Sequence, residues 1–175
     1  MWEEPDLYEE EQYEELSCLS RDTRTIVEKM RDITWLLEDD ERLTELNPAE
    51  ELMIAESDDV SPTNLDCLAE HTEHETVRTV IAQNINTVGA TLHYLAQVSV
   101  SEETLMAIVE NDASNAETLI LIVLDESVSL SVKERIVEHY RFDEVVDELL
   151  YAYGVEYSFF PASWKHALSE RKAAR

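Results

Sequence analysis

The sequence predicts an all-α solenoid, in which short helices recur with a 13–14-residue period and are capped by further helices at both ends. The first observation behind this is an internal repeat. Within residues 61–140 the pairs Leu68-Ala69, Ile81-Ala82, Leu95-Ala96, Ile108-Val109, Ile122-Val123 and Ile136-Val137 recur every 13 or 14 residues. A unit of that length holds one helix of about two to three turns plus a turn. It cannot bury its own apolar stripe, so neighbouring units must stack to cover one another. The second observation is punctuation: Ser61-Pro62, Ser101 and Ser114 stand where N-caps would open successive units. The third is that no segment alternates apolar and polar residues between turn signals, so strands are not expected.

Taken in order, Pro5 suits a first helical position, and Tyr8, Gln12, Leu16 and Leu19 share one face of a helix over 5–19. Ile26, Met30, Ile33 and Leu37 keep the helical period over 22–38. Asn47, Pro48 and Glu50 make a capping box that starts a short helix running through Ala55. The repeats follow. Val145, Val146, Leu149, Leu150 and Tyr153 then form another apolar stripe, which Gly154 should terminate. A turn through Pro161 leads to a final helix whose Arg171, Lys172 and Arg175 suit the negative end of its dipole. The expected organisation is an acidic helical cap over 1–59, repeats over 60–140 and an aromatic-rich cap with a basic tail over 141–175. The expected core is Leu65, Leu68, Val77, Ile81, Leu92, Leu95, Leu105, Ile108, Leu119, Ile122, Val132 and Ile136.

Forty Asp and Glu against 13 Lys and Arg leave a formal charge of −27 on 175 residues. Residues 1–59 carry −16 and residues 60–164 carry −14, while 165–175 carry +3. Hydrophobic content is 44%, so the acidity overlies an ordinary core. Such a field repels nucleic acid and anionic membrane and attracts basic proteins. Two cysteines, Cys18 and Cys67, make no disulfide framework, and no N-terminal run resembles a signal peptide. The longest apolar run, Leu119 to Leu124, is far too short to span a bilayer. The expectation is a cytoplasmic protein. With Gly89 and Gly154 the only glycines, Gly-rich phosphate loops are excluded.

Ser61-Pro62, Leu65, Leu68-Ala69, Val77-Arg78, Ile81-Ala82, Asn84, Asn86-Thr87, Leu92 and Leu95-Ala96 together resemble the variant leucine-rich repeat. That family is a right-handed solenoid of short helices, related in appearance to HEAT arrays. The resemblance covers Val60 to Ala96; beyond it the period persists without the Val-Arg and Asn landmarks. Ile85 stands where the family often has proline, and nothing here matches the founding member's cysteine-rich iron–sulfur segment. What the resemblance implies is a fold, without an activity.

Cys67, His71 and His74 stand at spacings that could serve zinc, with Glu70, Glu73 and Glu75 nearby. No Cys-x-x-Cys pair supports them, and we read Cys67 as a small helix residue and His71 as a last-turn residue. His93, His139 and His166 are scattered and suggest surface or edge positions. Carboxylate pairs mean nothing by themselves in a chain with forty carboxylates, and no nucleophile elbow, His-Glu-x-x-His or phosphate loop occurs. No enzyme, metal or cofactor is expected. Tyr151, Tyr153, Tyr157, Phe159, Phe160 and Trp164 place six of the chain's 13 aromatics within 14 residues. We read them first as a cap closing the last unit's apolar edge; an exposed set of interface anchors is the second reading, and the two can coexist.

The expected function is therefore binding. In the first reading the acidic surface binds and inhibits or regulates a basic, nucleic-acid-binding protein, without touching nucleic acid or membrane itself. Its sharpest form is DNA mimicry of the viral anti-defence type: duplex DNA offers a charge about every 1.7 Å, and carboxylates three and four apart on a helix stand about 5–6 Å apart. The expected contacts are Glu9, Glu10, Glu11, Glu14, Glu15, Asp39, Asp40, Glu41, Asp58 and Asp59, with Tyr153, Tyr157, Phe159, Phe160 and Trp164 as partner-binding or cap residues. In the second reading the chain is a scaffold or assembly component, of viral type, and its acidity serves solubility or salt adaptation. Scarce lysine (four, against nine arginines) favours salt adaptation, whereas Glu outnumbering Asp 28 to 12 opposes it.

Overall fold

Five of the short helices open on a side chain that satisfies orphan amides, whereas those that follow His74, Val88 and Arg141 have no such cap. In the computed structural model, which describes residues 46–173, Asn47 accepts from the Ala49 and Glu50 amides while Glu50 returns to the Asn47 amide, completing the predicted capping box. This starts α1 (Pro48–Glu56). Ser61 caps α2 (Pro62–His71) through the Asn64 amide. Then follow α3 (Glu75–Gln83) and α4 (Gly89–Val98). Ser101 caps α5 (Glu102–Glu110), Asn115 caps α6 (Ala116–Leu124) and Ser129 caps α7 (Leu130–Arg135). A 3-10 turn, Ile136–Glu138, extends α7; α8 (Phe142–Tyr151) and α9 (Ala162–Ala173) complete the order. The described residues are all helical, and none of their helices is long and apolar enough to cross a membrane. The chain divides at residue 45, and the described residues belong to the second unit. The predicted helices over 5–19 and 22–38 lie outside the described residues.

Ser114 is a correction. It does not cap α6; the cap is Asn115, and the Ser114 hydroxyl is buried, donating to the Ile108 carbonyl. Thr87 does the same with the Ile81 carbonyl one helix pair earlier, so a buried hydroxyl pins the turn after α3 and after α5. Gly154 takes a φ of 65°, the left-handed region where a side chain is costly, but α8 stops earlier than expected, at Tyr151, and leaves Tyr153 outside the helix and exposed.

The helices pack in two rows. α1, α3, α5 and α7 touch in succession, as do α2, α4, α6 and α8, and α9 packs on the 3-10 turn. All twelve predicted core residues are buried between them. The leading member of each repeated pair is buried throughout. The second member is buried at Ala69, Ala82 and Val109 but half-buried at Ala96, Val123 and Val137.

Polar side chains stitch the first row together. The Asn84 amide donates to the carbonyls of Ala55 (2.8 Å) and Ser57 (3.0 Å). Asn111 repeats this on Ala82 (2.8 Å) and Asn84 (3.2 Å), each time reaching a residue 27 positions back. Asn111 thus repeats the role of Asn84 beyond residue 96. A second set joins carboxylates to hydroxyls 29 positions on: Glu75 to Thr104, Glu102 to Ser131 and Glu134 to Ser163.

Two substitutions test this packing. Leu95→Ala, at a fully buried site, should cost about 2–5 kcal/mol in denaturant unfolding. Gly89→Ala should also destabilise, because a Cβ there would meet the Ala113 backbone carbonyl at 2.8 Å; an unchanged melting temperature would disprove that close approach.

Candidate functional site

The acidic surface starts from how the chain uses its few cations. Arg78 pairs with Glu75, Arg135 with Glu110 and Glu138, Arg141 with Glu144, and Arg171 with Asp143. The Lys133 ammonium donates to the Asp125 carbonyl at 2.7 Å, and that of Lys165 to the Ser158 carbonyl at 2.8 Å. Arg78, Lys133, Arg135, Arg141, Lys165 and Arg171 are therefore each engaged within their own chain, whereas Glu56, Asp58, Asp59, Glu70, Glu73, Glu103, Glu117, Asp147 and Glu148 face solvent. The outward field of the described residues is negative.

One concavity gathers part of that charge. Gln83 from α3 and Glu102, Glu103, Met106, Ala107 and Glu110 from α5 line an open hollow of about 440 Å³. Glu102 and Glu110 are held in place, by the Ser131 hydroxyl and Arg135 respectively, while Glu103 points outward from the first turn of α5. The Ser131 and Ser129 hydroxyls keep the Glu102 carboxyl below its ordinary range, so it is charged at neutral pH. Three carboxylates around a methionine and an alanine can accept a Lys or Arg head while its stem lies on the apolar floor. Neither Glu103 nor this hollow was singled out from the sequence; the spacing of Glu102, Glu103 and Glu110 on one short helix was the available signal.

Of the acidic residues expected to bind, Asp58 and Asp59 lie exposed in the α1–α2 turn, well separated along the chain from the hollow. Glu9, Glu10, Glu11, Glu14, Glu15, Asp39, Asp40 and Glu41 lie outside the described residues. Not all acidity is surface. Glu51 is buried and accepts the Thr72 hydroxyl at 2.7 Å, and Asp66 accepts the Thr91 hydroxyl at 2.7 Å. At Glu75 burial raises the pKa. The Arg78 guanidinium, the Ser101 amide and the Thr104 hydroxyl outweigh it and hold the carboxyl below the usual range.

The aromatic group divides in two. Trp164 is fully buried, its indole N–H donating to the Lys133 carbonyl at 2.9 Å and its ring meeting Phe142 edge-on at 5.0 Å. Phe160 is buried against Trp164 at 5.5 Å. These two serve as the cap. Tyr151, Tyr153, Tyr157 and Phe159 are exposed.

Cys67, His71 and His74 do not converge. His71 hydrogen-bonds through Nδ1 to the Cys67 carbonyl at 2.8 Å, and His74 precedes α3, exposed. Among the described residues no three His, Cys, Asp or Glu side chains are arranged to hold a metal ion. His139 is a correction, being buried where a surface or edge position was expected. It occupies the turn after the 3-10 segment, as Asn84 and Asn111 occupy the turns after α3 and α5. Its Nδ1 accepts the Arg141 amide at 3.1 Å, and its buried Nε2 edge, near the Asn111 backbone, makes no well-formed bond. Burial pushes its pKa below the ordinary 6.5; the Asn111 backbone and Asp112 oppose this, and Arg141 reinforces it.

Comparison with family models, with curated proteins and with solved structures finds no match.

The His139 geometry carries a pH prediction. Its folded-state pKa is lowered, so the unfolded chain binds the proton more readily and stability is lost as pH falls from 6.5 toward the folded value. Between about pH 7.5 and about pH 5.5 the melting temperature of the native chain should drop relative to His139→Asn, whose amide does not titrate there. Parallel curves for the two proteins would refute it.

Proposed function

We propose that this chain is a non-enzymatic, protein-binding α-solenoid whose acidic surface binds a basic, nucleic-acid-binding protein and inhibits or regulates it. The arrangement we propose is right-handed, of the variant leucine-rich repeat or HEAT-like kind, with one helix per 13–14 residues. Supporting it are the two rows of helices and the side-chain bonds that recur 27 and 29 positions apart. The observation that carries the functional reading is the fate of the cations: Arg78, Lys133, Arg135, Arg141, Lys165 and Arg171 are tied within the chain, while carboxylates stay outward on a stitched and therefore preorganised frame. The hollow on α3 and α5 supplies a docking point for a Lys or Arg of the partner. DNA mimicry is the most specific form of this reading: fixed carboxylates occupy a groove that otherwise holds phosphates. In this reading the protein acts in the cytoplasm, takes no cofactor, and contacts neither nucleic acid nor membrane.

The test is capture of partners from the native host at about 50 mM and about 300 mM salt, where screening separates charge-driven from apolar complexes. The expected partner is basic, lost at the higher salt and competed away by duplex DNA. Glu103→Lys should weaken its capture several-fold without lowering the melting temperature, since that side chain is exposed. A partner retained at high salt and indifferent to Glu103→Lys would sink the proposal in favour of the scaffold reading.

A further inference from the structure

At the far end of the described chain the exposed apolar side chains are concentrated. Of the eleven large hydrophobic residues exposed among the described ones, seven, Leu124, Leu130, Tyr140, Tyr151, Tyr153, Tyr157 and Phe159, lie between the end of α6 and the start of α9. Phe159 is 78% exposed, Leu130 58% and Tyr153 52%, values that a solvated face has no physical reason to gather in one place. Leu124, Leu130, Tyr153 and Phe159 share the walls of one groove of about 640 Å³, with Phe160 and Trp164 at its base. That volume matches one or two large side chains, not a domain.

The groove is built on a fixed floor. Trp164 is locked by its bond to the Lys133 carbonyl and by Phe142, Phe160 leans on it, and Tyr157 meets Phe160 edge-on at 5.8 Å while donating to the Lys165 carbonyl. An incoming side chain would meet rings already ordered, which lowers the entropic cost of binding.

Charge defines the occupant further. Lys133 lines the groove, but its ammonium is held by the Asp125 carbonyl; Lys165 is likewise held by the Ser158 carbonyl. The two flanking turns present Asp125, Glu126 and Glu156, all exposed, with Glu156 on the groove wall itself. The Asp125 carboxylate is fixed by the Ser127 hydroxyl (2.7 Å) and amide (2.8 Å). An apolar slot edged by carboxylates complements an apolar anchor with a cation beside it.

We propose that the groove between the α6–α7 turn and the α8–α9 connection binds a short peptide segment of a partner protein, which inserts an aliphatic or aromatic anchor and sets an adjacent Lys or Arg against Glu156 and Asp125. This site is separate from the acidic hollow on α3 and α5 and stands whether or not that hollow binds anything.

The experiment selects a phage-displayed library of random twelve-residue peptides on the full chain, then measures enriched peptides by fluorescence anisotropy against native protein, Phe159→Ser, Tyr153→Ser, Glu156→Lys and Glu103→Lys. The expected sequences pair an apolar anchor with a neighbouring Lys or Arg. Affinity should fall by about tenfold or more in Phe159→Ser or Tyr153→Ser, as for an interface hot spot, and several-fold in Glu156→Lys. It should be unchanged in Glu103→Lys, which separates this site from the hollow. Both aromatic positions are exposed, so circular dichroism should match the native chain and loss of binding would not reflect unfolding. No enrichment, or enrichment of polybasic peptides indifferent to Phe159→Ser, would overturn the proposal. So would sedimentation showing a dimer that Phe159→Ser dissolves, since a second copy would then be the occupant.

Discussion

The turn asparagine is the interaction on which the rest of the fold depends. A two-to-three-turn helix leaves its last carbonyls and the following turn without partners, and stacking such helices would bury those groups unpaired at a cost of about 1–3 kcal/mol each. Asn84 and Asn111 solve this from both sides of the amide. The carbonyl oxygen of Asn84 accepts the Asn86 amide and that of Asn111 accepts the Ala113 amide, so each closes its own turn. The amide nitrogen reaches across to two carbonyls of the neighbouring unit. One side chain therefore sets local turn geometry and the spacing between units together. The same local closure recurs with other residues: Ser57 for the Asp59 amide, Thr72 for His74, Asp125 for Ser127 and His139 for Arg141.

This explains why the carboxylate count overstates the acidic surface. Asp66, Glu75, Glu102 and Glu134 each accept a Ser or Thr hydroxyl from another helix, and Glu51 accepts one from Thr72 in the turn after α2. Charge-assisted bonds of that kind add register to apolar contacts that carry little directional information. Some of the acidity is thus structural, and only the remaining outward carboxylates are available to a partner. A charge of −27 still resists compaction, and the Arg78, Arg135, Arg141 and Arg171 pairs relieve it where like charges crowd.

Much of the core was legible because a stacked helix buries the same face in every unit: Leu68, Ile81, Leu95, Ile108, Ile122 and Ile136 repeat one role. Caps at Asn47, Ser61 and Ser101 were legible for the same reason, since side-chain capping is local in sequence. What escaped was chemistry that changes identity while keeping position. Ser114 looks like a cap and is a turn pin: its hydroxyl is committed to the Ile108 carbonyl, and Asn115 beside it caps α6. Asn111 lacks the neighbours that mark Asn84, and His139 keeps only the local half of the job, so neither shows as a repeat. Of the acidic hollow only the α5 carboxylates could be read in the sequence; the Gln83 side of it comes from α3, which only packing brings beside them.

The aromatic end follows from how the stacking stops. A helix at the end of a row has no successor to cover its apolar face, and here α9 supplies Trp164 instead, with Phe160 beside it and the indole bonded to α7. Burying two large rings satisfies that edge, so a cap alone would need only those two. Tyr151, Tyr153 and Phe159 add apolar area of which at least half remains exposed, so most of it contributes nothing by burial. Exposed rings carry a solubility cost that even a strongly acidic chain must offset. Their clustering is thus the one feature of this end that stacking physics leaves unexplained, and covering by a partner would account for it.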